Sequence, residues 1–131
     1  MCLERVDRVY KGTSRIIRIR YKVFQLRENT GELYPAYGFP VYSLPKDTWL
    51  DEELYRVPGS KNTIDGADGE YPMGWHVFTK VDDAKLFALL RYEDEDEVIY
   101  RVQCKCRLAG GVDALDRKVE VYRYIKIEKE V

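Results

Sequence analysis

The stretch RIIRIRYKVFQL, residues 15–26, decides the fold class. Ile17, Ile19, Tyr21 and Val23 alternate with Arg18, Arg20 and Lys22. Period-two alternation is the signature of a half-buried strand, with an apolar side toward a core and the cations on the opposite side. At Val23-Phe24 the phase inverts, because Phe24 and Leu26 become the apolar members; a bulge or a change of covering layer accounts for this. Working outward, Val98 to Arg107 repeats the pattern. Val98, Tyr100, Val102, Cys104 and Cys106 face one way; Arg101, Gln103, Lys105 and Arg107 face the other. Lys118 to Glu128 is the last strand, with Val119, Val121, Ile125 and Ile127 on one side, interrupted by Arg123. Tyr122 and Tyr124 fall on the other side.

Between these strands the chain changes character. Pro35, Pro40 and Pro45 break a Tyr-rich segment from Leu33 to Leu44, which reads as an edge strand or irregular extended chain. Residues 56–70 (RVPGSKNTIDGADGE) read as a flexible loop of about fifteen residues. Leu50 to Tyr55 reads as one helical turn, with Asp47 as its cap. Trp75 to Phe78 is a short strand. Thr79-Lys80-Val81-Asp82 then fits a capping box opening a helix from Val81 to Tyr92. Ala109-Gly110-Gly111 reads as a turn. The first ten residues fit either a helical stripe or a short edge strand. The expected architecture is a single α+β domain over residues 1–131. It comprises a twisted antiparallel sheet of about five strands, one main helix on one face and a long irregular middle.

Composition bounds the function. The 131 residues hold 22 Lys+Arg, 23 Asp+Glu, one His and three Cys, for a net charge of -1. That balance excludes a uniformly basic nucleic-acid coat. It also conceals segregation. Residues 1–27 carry eight cations and two acids, residues 28–75 three and nine. Residues 76–100 carry three and seven, residues 101–131 eight and five. No apolar run approaches the roughly 20 residues of a membrane span, and no signal peptide is evident. An odd cysteine count with that absence points to a reducing, cytoplasmic compartment and no membrane partner. Cys104 and Cys106 lack metal-ligand spacing, so no metal and no cofactor is expected.

Three constellations carry candidate chemistry. Arg18, Arg20 and Lys22, with Arg101, Lys105 and Arg107, would line one basic sheet face if their strands are neighbours. Tyr122 and Tyr124 would then interleave as stacking platforms for a single-stranded nucleic acid. A solvated face with cross-strand pairing to Glu120 and Glu128 is the plainer reading. His76, the only histidine, is the only ordinary general base near neutral pH; as an enzyme the chain would act on a nucleotide or sugar through it. Tyr34, Tyr37, Phe39, Tyr42, Trp49 and Tyr55 crowd the proline-broken middle. Aromatics of this kind are enriched in protein-interface hot spots. Asp65 and Asp68, in the acidic middle, add charge that would oppose a basic partner.

The residues Tyr21 to Phe24, Gly74 to Phe78 and Asp82 to Ala84 also support a family comparison. A YKVF strand, a Tyr-rich middle, then G-W-H-V-F and an acidic-Ala helix start resemble short phage and mobile-element proteins that read G-F-H-x-F. Trp75 stands where Phe is usual. The resemblance implies a viral origin and transfers no activity. Small proteins of that kind often bind and block a host enzyme, including defence nucleases, in the manner of anti-CRISPR proteins. The leading expectation is therefore a non-enzymatic protein that binds a host macromolecule, a protein, through the aromatic middle and acidic loops. The oligomeric state, a dimer included, is left open.

Overall fold

Alternating β-branched and aromatic residues form long strands where the sequence keeps period two. The proline-rich middle supplies only short ones. The computed structural model describes residues 3–27, 29–35, 43–56, 59–89 and 97–131. In chain order these form β1 (Arg5–Val9), β2 (Arg18–Arg27), β3 (Glu32–Pro35) and β4 (Trp49–Asp51). A 3₁₀ turn (Glu52–Tyr55), β5 (Thr63–Gly66), β6 (Gly69–Pro72) and β7 (Trp75–Phe78) follow. The chain ends with α1 (Val81–Leu89), β8 (Glu97–Val112) and β9 (Lys118–Glu130). The fold is α+β, with an antiparallel sheet and one main helix packed against it. The sheet has seven strands, in the order β1-β8-β2-β7-β9-β4 with β3 beside β2. The two strands beyond the expected five are the short β1 and β4.

β8 also pairs with β9, and Tyr21 of β2 pairs with Phe78 of β7. The strands β8, β2, β7 and β9 therefore close into a ring. One core lies inside it: Phe24, Trp75, Val77, Val102, Cys104, Tyr122 and Ile125 are buried together. A second core lies outside, where α1 sets Ala84 and Phe87 against Val23, Phe78, Val119 and Val121. Burying both faces explains the inverted phase at Val23-Phe24. The β2–β8 register runs without a shift from Arg18 to Gln25, so the covering layer changes and no bulge is needed.

Several expectations are corrected. Ile17 and Ile19, placed in the core by periodicity, are 53% and 38% exposed, because no described element lies over that end of β2. The cations Arg20 and Lys22 instead point into the ring. Residues 56–70 contain a hairpin, β5–β6, in which Asp65 pairs with Glu70 and Gly66 with Gly69. Ala109-Gly110-Gly111 does not turn but stays in β8, where glycine lets β1 approach. A Cβ on Gly111 would lie 1.9 Å from the Arg5 carbonyl oxygen. The turn comes at Asp113–Arg117, where the Asp113 carboxylate accepts from the amides of Leu115 and Arg117 at 3.1 and 3.0 Å. The Thr79 hydroxyl is buried without a hydrogen-bond partner among the described residues, so the capping box is not made. Asp51, not Asp47, caps the 3₁₀ turn by accepting from the Glu53 amide. Leu86 and Leu89 of α1 are exposed. Residues 90–92, the expected end of the helix, lie outside the described residues.

Candidate functional site

The six cations assigned to one basic face are divided by the structure. Arg18 stands opposite Cys104 and Arg20 opposite Val102, so Arg18, Arg20 and Lys22 share the inner side. Tyr21 stands opposite Arg101 and Ile19 opposite Gln103, which puts Arg101 and Lys105 on the outer side. Cys106 breaks the alternation of β8. Its φ is 60°, a conformation that costs a β-carbon-bearing residue free energy. Its amide leaves the ladder to donate to the Ser14 carbonyl at 2.8 Å. Lys105 pairs with Tyr124 and Arg107 with Tyr122, yet the two pairs face opposite ways. Tyr122 is wholly buried and is no stacking platform. Its hydroxyl donates to Glu120 at 3.0 Å.

Inside the ring Arg20, Arg107 and Lys22 each donate to a fixed acceptor. Glu120 accepts from Arg20 Nε at 2.5 Å and from Arg107 Nη1 at 2.7 Å. Burial works against the Glu120 charge, but the two arginines hold its carboxyl below the ordinary value. Burial pushes the Tyr122 hydroxyl and the Cys104 thiol well above theirs. Lys22 is buried and donates from Nζ to the His76 carbonyl at 2.7 Å. Desolvation lowers its pKa to about 8.

His76 has no lone pair to offer a substrate. One ring nitrogen lies 2.8 Å from the Tyr71 hydroxyl and the other 3.1 Å from the Gly74 carbonyl. Burial, with the nearby Lys22 charge, lowers its pKa to about 3, so the imidazole is neutral and structural. With both nitrogens engaged inside the protein, His76 is not presented as the general base expected from the sequence.

The outer side of the ring carries a patch that no described element covers. Ile19, Gln103, Lys126 and Trp49 form one transverse row across β2, β8, β9 and β4. Lys105, Tyr124 and Asp51 form the next. At the usual strand spacing this face is about 14 Å wide. The Lys105 ammonium sits 4.2 Å from the Trp49 ring centre and 5.3 Å from that of Tyr124, close enough for cation–π attraction to both. The Arg123 guanidinium lies 5.2 Å from the Tyr124 ring centre and reaches Asp51 and Glu53 at 3.3 and 3.4 Å. Arg101 grips Glu128 with two bonds at 2.5 and 3.3 Å.

This patch joins residues expected to serve different partners. Trp49 comes from the aromatic middle; Arg101, Lys105 and Tyr124 come from the basic strands. Ile19, Arg123 and Lys126 were missed, because their neighbours depend on β4 pairing with β9. The other aromatics do not converge here. Tyr55 packs on Trp75 inside, with ring centres 5.8 Å apart. Tyr34 donates to Glu32 and lies under Arg27. Asp65 and Asp68 are exposed on the β5–β6 hairpin, whose Tyr71 hydroxyl accepts from the Leu3 amide. Tyr37, Phe39 and Tyr42, like the acidic residues 93–96, lie outside the described residues.

Among the described residues no cluster of His, Cys, Asp and Glu is arranged to hold a metal ion, and no helix is long and apolar enough to cross a membrane. No known protein family matches the chain, and no curated protein or solved structure does.

Proposed function

We propose that this chain is a non-enzymatic binding protein whose open outer sheet face engages a host protein. The carrying observation is the Trp49–Lys105–Tyr124 stack, a pre-ordered aromatic and cationic centre on a four-strand surface. Trp, Tyr and Arg dominate protein-interface hot spots because they give large contact area at low entropic cost. The exposed Ile17 and Ile19 extend the patch with apolar surface. Both signs of charge are present: Glu128 holds Arg101, and Asp51 with Glu53 holds Arg123. Among the described residues that leaves Lys105 and Lys126 as the cations of this face without an acidic partner, too few for strong phosphate-backbone attraction. This favours protein over single-stranded nucleic acid. The resemblance of Gly74 to Phe78 to short phage and mobile-element proteins supports a host target, a defence nuclease among them.

The test is affinity capture from host lysate with the tagged full chain and its Trp49→Ala/Tyr124→Ala double variant. A stoichiometric protein retained by the parent and lost by the variant, at unchanged circular dichroism, is the expected result. Equal capture by both proteins would overturn the assignment of this face. A gel shift of a labelled oligonucleotide whose affinity falls steeply with salt would replace the protein reading with the nucleic-acid one.

A further inference from the structure

The residues left on the inner side, Arg18 and Arg107, do not form a nucleic-acid face, yet they are not idle. They meet the loop Tyr10-Lys-Gly-Thr-Ser14 around an open cavity of about 280 Å³. Lys11, Thr13, Ser14, Arg18 and Arg107 line it, with the Tyr10 ring as a wall. No carboxylate is among the lining residues. The nearest acid, Glu120, accepts from Arg107 Nη1 and is already shared with Arg20 and Tyr122.

Two arginines line the cavity together. Arg18 Nη1 and Arg107 Nε are buried and have no hydrogen-bond partner among the described residues. A buried guanidinium N–H left unpaired is costly, and here two such groups belong to side chains lining one cavity. An oxyanion in that cavity would meet the positive charge of both guanidinium groups.

The site is also built in advance. The Tyr10 amide donates to the Leu108 carbonyl and the Cys106 amide to the Ser14 carbonyl, both at 2.8 Å, so both ends of the loop are fixed to β8. Gly12 turns the loop at φ 75°, where a Cβ would meet the Leu108 side chain at 2.5 Å. The Arg107 guanidinium stacks 4.0 Å from the Tyr10 ring centre, which fixes its plane. Rigid forks with hydroxyls and an ammonium match a tetrahedral dianion better than a two-oxygen carboxylate.

We infer that this cavity binds the phosphate group of a small phosphomonoester. Its volume falls just below the roughly 300 Å³ at which small-molecule pockets begin, so a phosphate with a small organic part fits and a polymer does not. The site lies apart from the Trp49 face and stands independently of the protein-binding reading.

The experiment titrates the full chain by calorimetry with inorganic phosphate, adenosine monophosphate, adenosine and acetate, each at one ionic strength set by chloride. Saturable one-to-one binding of phosphate and the monophosphate, with none of adenosine or acetate, is expected. Tighter binding of the monophosphate identifies the ester as the ligand; equal binding identifies the free anion. Arg18→Gln and, on the exposed loop, Lys11→Gln should each weaken binding at least tenfold. If Arg18→Gln fails to fold, Lys11→Gln alone decides. Phosphate no better than chloride, or unchanged affinity in Lys11→Gln, would overturn the inference. Trp49→Ala/Tyr124→Ala should bind phosphate like the parent, which separates failure here from failure of the proposed interface.

Discussion

Acidification should destabilise this protein well above the pH at which carboxylates protonate, and His76 should be the cause. The unfolded imidazole has its ordinary value, 6.5, whereas in the ring it is held neutral down to about 3. Both nitrogens are engaged, by the Tyr71 hydroxyl and the Gly74 carbonyl, and the Lys22 ammonium lies at the His76 carbonyl. Between these values the unfolded state binds the proton and the native state does not. Stability therefore rises with pH across the window and falls as pH drops from 6.5 toward 3. At 1.36 kcal/mol per unit the whole window corresponds to about 5 kcal/mol. By pH 5 the loss relative to pH 7.5 is about 2 kcal/mol, which moves a urea midpoint by roughly 1 M for a domain of this size. The assay is urea unfolding at pH 7.5 and pH 5, for the parent and for His76→Gln. The variant starts less stable, because its ring hydrogen bonds are gone, but its midpoint should move little between the two pH values. Proton NMR of the ring provides a second reading, with no imidazole titration down to pH 4. An equal midpoint shift in the variant, or a ring titrating near 6.5, would refute the reasoning.

Three further outcomes follow from the same interior. Lys22, lowered from 10.5 to about 8 by desolvation, binds fewer protons in the native state between those values. Its contribution should raise stability by about 2 kcal/mol from pH 7.5 to 9.5; the raised Cys104 thiol opposes it, so the parent is compared with Lys22→Met by denaturation at both pH values. Glu120→Gln leaves Arg20 and Arg107 without their shared anion and should cost about 3 kcal/mol in urea unfolding at pH 7. The parent's own Glu120 contribution is complete above the unfolded carboxylate value and is lost as pH falls through the lower native one. Gly111→Ala drives a β-carbon into the Arg5 carbonyl, and hydrogen exchange should show β1 amides losing protection while those of β9 keep theirs.

Much of the fold is legible in the sequence because long strands advertise themselves. The alternation in residues 15–26, 98–107 and 118–128 identifies β2, β8 and β9, and the acidic start after Thr79 marks α1. The side each strand presents is another matter. Period two locates two faces and does not say which is enclosed; at Ile17 and Arg20 the usual inference from hydropathy fails. Lys22 is buried and Arg20 half-buried because the His76 carbonyl and Glu120, a hundred residues away from Arg20, are there to meet them. No local pattern carries that information. Short elements were hidden for a related reason. β4 has three residues and exists only by pairing with β9, and Asp65 to Glu70 reads as loop because the tip of its hairpin is polar, its apolar pair Ile64–Tyr71 lying at the base.

The two candidate surfaces part where Cys106 and Arg123 stand between the Lys105–Tyr124 and Arg107–Tyr122 pairs. In a regular strand Lys105 and Arg107 would share a face, as would Tyr122 and Tyr124 on the partner. A single basic-aromatic surface would result. The structure interrupts both strands at this level. Cys106 adopts φ 60° and gives its amide to Ser14, and the Arg123 side chain turns to Asp51 and Glu53. Lys105 with Tyr124 is thereby turned outward to Trp49, and Arg107 with Tyr122 inward to Glu120 and the cavity. A positive-φ residue inside a strand is costly to keep, and here it does two things at once. It assembles the outer stack from two strands and a distant segment, and it anchors the loop that walls the inner cavity. The irregularity that defeats a period-two reading of β8 is thus the feature that gives the molecule two chemically distinct surfaces.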